Sequence, residues 1–271
     1  MTTNVMLGSV SYSTDSKKVE FENSLKSLDQ AITELGYNCR RIDARWQNLE
    51  FNYSGYSLLK ILYWHSRFQT EIYSEKNKSL FFLKDLVLNS LRAVRDTITM
   101  PRKEFLIKHV RNHFRIRFIT DKQLRIIGCF LDSNSDYLLV CEDDIILNSN
   151  PKVFLKDAIQ LAEKRNNSLF ITICNNSAYS KVSNHFGGSI KDYSESNRWK
   201  EIDFFVNGCA MYLLNRPMAA LINEFVVKNP MYRLCSIDWL LSLIGRNALG
   251  GGEVVTCLIP SENFIGNGSR K

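Results

Sequence analysis

Residues 4–44 hold the pattern that most constrains this chain. NVMLGSV reads as a short buried strand that ends in a Ser-rich turn, SYSTDS. VEFENSLKSLDQAITEL then sets Leu25, Leu28, Ile32 and Leu35 at helical spacing, and Gly36 stands where a helix C-cap would. YNCRRIDARW follows as a second strand. Strand–helix–strand is the building unit of a parallel sheet.

The alternation continues downstream. Residues 53–94 are mostly helical in character, although LFFLKDLVL also fits a strand. Pro101 starts a further helix and RIRFI fits a short strand. Residues 121–133 show helical spacing at Leu124, Ile127 and Leu131. SDYLLVCEDDIIL and SLFITIC read as strands separated by a helix over Pro151–Lys164. FFVNGCAMYLL is a strand leading into NRPMAALINEF, where Asn215 is an N-cap and Pro217 lies in the first turn. Ser236 caps IDWLLSLIG, and EVVTCLIP is a last strand. The expectation is one α/β domain with a mostly parallel central sheet flanked by helices on both faces.

Composition agrees. Of 271 residues, 45% are hydrophobic and 23% charged, a globular balance that excludes disorder, and 13 Gly and 5 Pro are too few for low complexity. A chain of this size buries roughly three quarters of its unfolded surface, enough for a core without disulfides. The seven Cys are scattered, form no CxxC pair and sit mostly within apolar runs, so a reducing, cytoplasmic setting is expected. The N-terminus lacks a basic region followed by a long apolar stretch, and no segment approaches the ~20 apolar residues of a membrane span.

The chemistry concentrates in YLLVCEDDIIL. Glu142, Asp143 and Asp144 follow directly on an apolar strand. Clustered acids repel one another and lose hydration beside a core, so they call for a counter-charge. A hard divalent cation such as Mn²⁺ or Mg²⁺ supplies it through oxygen ligands and bridges carboxylates to phosphates. The end of a strand is also where open α/β sheets bind ligands. A solvated turn whose acids cap the next segment is the competing reading.

CEDDIIL resembles the acidic DXD motif of GT-A glycosyltransferases, particularly the family-25 enzymes of lipopolysaccharide and capsule synthesis. ITDKQLRIIGCFLDSNSDYLLVCEDD, NGCAMYLLNRPMAALI and IDWLL are similar to that family's successive motifs, in order, over about Ile119–Leu241. The resemblance implies a single GT-A-like, Rossmann-like domain over residues 1–271, with a donor half over about 1–145 and an acceptor half over about 146–271. It implies inverting transfer of a sugar from a nucleotide-sugar donor, with a UDP-sugar as the prior, to a hydroxyl of a lipopolysaccharide or capsule acceptor, free or lipid-linked. Asp144 and Glu142 would be the metal ligands. Glu142 is also a candidate for the donor ribose, and Asp143 is a third member or a structural acid. Asp238, the acid of the DW motif, is either the general base or a helix-dipole acid. Trp239 either stacks on a sugar or joins the core. This chain departs from the family in having no late His; its four His (65, 109, 113, 185) precede IDW. A backbone or Asn oxygen, or water, would then complete the metal site.

For the nucleotide, Ser9 and Ser11 follow the first strand and Asp43 ends the second. Asp43 either accepts from the base or pairs with Arg41 or Arg45. Arg125 is a candidate for a phosphate.

The net charge is +7, with 35 Lys and Arg against 28 Asp and Glu. Eight basic residues lie between Arg102 and Arg125, against Glu104 and Asp121. This block is either a solvated face or a peripheral contact with anionic lipid at the inner face of the cytoplasmic membrane, with Lys108, Arg111 and Arg115 facing the headgroups. No RNP pattern, zinc spacing or helix-turn-helix is present, so no nucleic-acid partner is expected. A basic nucleic-acid-binding protein and a catalytically inactive GT-A-like binding protein are the alternatives.

Overall fold

The first strand, β1 (Asn4–Val10), is the hub of the sheet, because parallel neighbours flank it on both sides. In this computed structural model the structure describes residues 3–10, 15–44, 58–73, 77–106, 108–109, 112–143, 145–147, 150–173, 190–194, 196–202, 210–252, 254–261 and 265–267. After β1 come α1 (Asp15–Glu34), β2 (Asn38–Ala44), α2 (Leu58–Tyr73), α3 (Lys78–Thr99), α4 (Arg102–Leu106) and α5 (Asn112–Leu131). Then follow β3 (Tyr137–Glu142), β4 (Ile145–Leu147), α6 (Pro151–Glu163), β5 (Ser168–Thr172), β6 (Ile190–Asp192), β7 (Trp199–Ile202) and β8 (Met211–Asn215). The helices α7 (Arg216–Lys228) and α8 (Ile237–Gly250) and the strands β9 (Val255–Pro260) and β10 (Ile265–Asn267) complete the order.

Eight strands form one sheet in the order β2-β1-β3-β8-β5-β9-β7-β6, and β4 pairs with β10 in a small second sheet. The expected α/β class holds. Only β8 and β7 run against the common direction, each antiparallel to both of its neighbours. Strand β8 comes from the later part of the chain but is inserted between β3 and β5. The two halves therefore share one sheet.

Alternation along the strands divides the core in two. Met6, Val10, Leu138 and Val140 face Ile126, Ile127 and Phe130 of α5, together with α7 and α8. Val5, Leu7, Leu139 and Cys141 face Leu25, Leu28 and Ile32 of α1 and Phe154 and Ala158 of α6. Helix α5 lies close on β1, because a Cβ at Gly8 would stand 2.6 Å from Ile126 Cγ2. Its C-terminus is fixed by Arg216, which donates to the carbonyls of Leu131 (2.7 Å), Ser133 (2.9 Å) and Ser135 (3.0 Å).

The caps read from sequence are present. Gly36 adopts φ 87°, and Tyr37 N–H donates back to the Ile32 carbonyl at 3.2 Å, closing α1 in a Schellman turn. Asn215 Oδ1 accepts from Met218 N (3.1 Å) at the start of α7 and from Leu169 N (3.0 Å) of β5. Two expectations change. LFFLKDLVL lies inside α3, and RIRFI inside α5. Each segment has strand-like residues, but no Pro or Gly interrupts Lys78–Thr99 or Asn112–Ile127, so the helix continues through them. The short strands β6, β7 and β10 have no counterpart in the sequence reading.

Candidate functional site

The chain passes from β1 to β2 on one side, then returns to place β3 on the other side of β1. The carboxyl ends of β1 and β3, where the strand order reverses, are the usual ligand position in an open α/β sheet. Registration places Val10 beside Glu142, and Ser9 between Asp43 and Cys141. Three of the sequence candidates, Ser9, Asp43 and Glu142, thus meet at one edge of the sheet.

They divide between its faces. On the α1 face, buried Ser9 donates its hydroxyl to Asp43 Oδ1. Arg41 Nε donates to the same oxygen at 2.9 Å, and Arg41 also forms a 2.8 Å ion pair with Glu22 of α1. Of the two readings of Asp43, the pairing with Arg41 is present. The two residues are two positions apart on a strand and so share a face. Arg45 and Ser11 lie outside the described residues.

On the α5 face, Gln123 Nε2 donates to Glu142 Oε1 at 2.7 Å, while Tyr212 of β8 donates its hydroxyl to Gln123 Oε1. Gln123 and Tyr212 are both fully buried, so this chain fixes the carboxylate from behind. Glu142 N–H also donates to the Ala210 carbonyl at 2.7 Å, tying the end of β3 to the start of β8. Asp143 is buried at the turn after β3, within electrostatic reach of Lys122. Burial pushes the Lys122 ammonium down to about 8, and Asp143 opposes that shift. Lys122 also lies 4.7 Å above the Phe118 ring. Asp144 lies outside the described residues, and among those described no three His, Cys, Asp or Glu gather in a metal-binding group.

Helix α5 also reaches the DW segment. Thr120, one turn before Gln123, donates to the Cys235 carbonyl at 2.8 Å. Ser236 Oγ accepts from Trp239 N at 3.4 Å, so Ser236 caps α8 and Asp238 stands in its first turn. Asp238 is half-buried and contributes to the raised pKa of the Cys235 thiol, whose main cause is burial. Trp239 packs on the core, its ring centroid 5.4 Å from that of His65 in α2. Burial holds the His65 pKa below its ordinary value.

Arg125 is exposed, while its neighbours Ile126 and Ile127 are buried, so it lies on the outer side of α5. In the basic block, Lys108 is engaged by Asp96 at 2.6 Å. Arg111 lies outside the described residues, and only the backbone of Arg115 is described. The sequence reading passed over Gln123, Tyr212 and Lys122. Tyr212 was visible within NGCAMYLL, but only the fold shows what its hydroxyl meets.

No family model and no curated protein matches this chain. Among solved structures it is similar to A197 from STIV, with 8% identity and a TM-score of 0.35 over 94% of this chain and 81% of that one. Similarity at that level does not establish a shared fold.

Proposed function

We propose that this chain is a metal-dependent glycosyltransferase that moves a sugar from a nucleotide-sugar donor, with UDP as the first nucleotide to try, to a hydroxyl of a glycan acceptor. The observation that carries this reading is Glu142, held by the Gln123–Tyr212 chain at the strand-order reversal. An amide donor orients the carboxylate without cancelling its charge.

Hard carboxylate oxygens at a strand end match the donor chemistry of Mn²⁺ or Mg²⁺. Glu142 and Asp144 would hold that cation, and when bound it neutralises the charge that builds on the departing diphosphate. The other roles belong to the chain itself. Gln123 and Tyr212 fix the direction of Glu142. Lys122 answers Asp143, which we assign as a structural acid. Asp238 takes the acceptor proton from the first turn of α8, where the helix dipole favours its charged form. The acceptor class, a surface glycan free or lipid-linked, rests on the family-25 resemblance.

The test uses UDP-sugars, Mn²⁺ and a glycan acceptor. Asp238→Asn keeps the shape and hydrogen-bonding capacity but cannot take up a proton. It should lower kcat for transfer by ~10²–10⁴-fold, with donor affinity and Tm unchanged. Calorimetric UDP binding that requires Mn²⁺ in the wild type should be lost in Glu142→Gln. Metal-independent nucleotide binding, or none, rejects the enzyme reading. Near-normal kcat in Asp238→Asn rejects the base.

A further inference from the structure

Helix α3 is apolar on two sides, and only one of them is packed. Asn89 Nδ2 reaches Ser66 Oγ of α2 at 3.3 Å, and Ala93 and Asp96, one and two turns further on, are buried. Opposite this inner face, Leu80, Leu83, Val87, Leu91, Val94 and Ile98 recur in steps of three and four residues, which is helical spacing. All six are between 48% and 80% exposed. The row is unbroken and runs about 27 Å along the helix at 1.5 Å per residue. Scattered exposed Leu and Val need no explanation, but a continuous apolar stripe marks a contact surface.

The charges beside it select the occupant. Lys84, Arg92 and Arg95 lie along one flank and are exposed. Exposed Arg102 and Lys103 follow in α4. Asp96 pairs with Arg95 at 2.8 Å, which leaves Lys84 and Arg92 as the exposed charge of this flank, and exposed Glu104 stands beside Arg102 and Lys103 in α4. Asp85 is turned to Asn89 at 2.8 Å, and Asp96 is buried beneath Lys108, Arg95 and His109. A second copy of this helix packed antiparallel would set basic flank against basic flank. Packed parallel, it would set that flank against Ser90 and Thr97. Neither arrangement supplies an acid, and like charges across a helix pair oppose association.

We infer that the outer face of α3 is a docking surface for an anionic lipid bilayer. The helix lies in the interfacial plane, its Leu–Val–Ile row enters the acyl boundary, and Lys84 and Arg92 meet the headgroup phosphates. No described helix is long and apolar enough to cross a membrane, so the contact is peripheral. The inference is independent of the transferase reading, and its test contains no nucleotide or acceptor.

The experiment is flotation of the full chain with phosphatidylcholine vesicles, with and without phosphatidylglycerol. The wild type should float with the anionic vesicles, less with neutral ones, and less again at raised salt. Leu83→Glu/Leu91→Glu should lower partitioning at least tenfold with an unchanged Tm. Lys84→Glu/Arg92→Glu, which leaves the stripe intact, should lower it roughly tenfold or more on anionic vesicles only. A wild type that stays at the bottom with anionic vesicles overturns the inference, as does flotation with anionic vesicles at the wild-type level by both double variants. So does a wild-type dimer in sedimentation velocity that Leu83→Glu/Leu91→Glu dissociates, because the stripe would then belong to a second copy.

Discussion

Asp96 and Glu142 are both carboxylates at the edge of apolar packing, and their partners differ in kind. Around Asp96, which is 1% exposed, stand Lys108 at 2.6 Å, Arg95 at 2.8 Å and His109 at 2.9 Å. Its pKa is driven far below the carboxylate range, first by the Lys108 hydrogen bond, then by Arg95 and His109. Glu142 receives the neutral Gln123 amide, itself held by the Tyr212 hydroxyl. Two cations and an imidazole around a buried acid satisfy it within the protein, and this joins the segment after α4 to α3. An amide behind a half-buried acid aims it and leaves its negative charge in place. The first arrangement suits structure; the second suits a site that meets a cation or a ligand.

Removing the aiming group should have the largest effect. Gln123→Leu leaves the buried Tyr212 hydroxyl without its acceptor, which costs about 1–3 kcal/mol of stability. It also releases Glu142, so Mn²⁺-dependent UDP affinity should fall by at least tenfold. Calorimetry and thermal melts read the two effects separately. An intact affinity would place Gln123 with the core and remove the contrast with Asp96.

Asp96→Asn should do the reverse, lowering Tm while leaving nucleotide affinity unchanged. The sign with pH follows from the depressed pKa. An acid of this kind contributes stability that is fully present above its unfolded value, about 3.9, and is lost as pH falls through the folded value. Wild type and Asp96→Asn should therefore differ most near neutrality and converge as pH falls below about 4 in denaturant titrations. A constant gap across that range would mean that packing, not charge, holds the node.

The smallest expected effect belongs to Lys122. Its folded pKa of about 8 lies below the ordinary lysine value of 10.5, so folding disfavours its charged form. Between those two values the unfolded chain binds the extra proton, and stability from this group rises with pH. Denaturation of the wild type and Lys122→Met should show that rise only in the wild type. A parallel pH dependence in both would leave Lys122 unburied in solution and loosen its link to Asp143.

Parts of this site were legible in the residues alone. The acids after YLLVC mark a strand end, because an apolar run of that length must be buried and carboxylates must leave it. Arg41 and Asp43 alternate onto one strand face, so their pairing is local. Arg125 was not legible as an outward residue, because helical spacing gives a face only once its packing partner is known. Ser11 and Asp144 lie outside the described residues.

The sequence by itself determined the β1–α1–β2 unit, the helix C-cap at Gly36, the Asn215 cap and the apolar strand β3, because hydrophobic period and capping chemistry act over a few residues. Only the tertiary structure decided that β3 lies beside β1, that β8 enters between β3 and β5, and that Tyr212 reaches Gln123 across 89 residues. It also decided which apolar face of α3 is covered. Such pairings between distant segments depend on which buried surfaces meet, and no local pattern of residues encodes that choice.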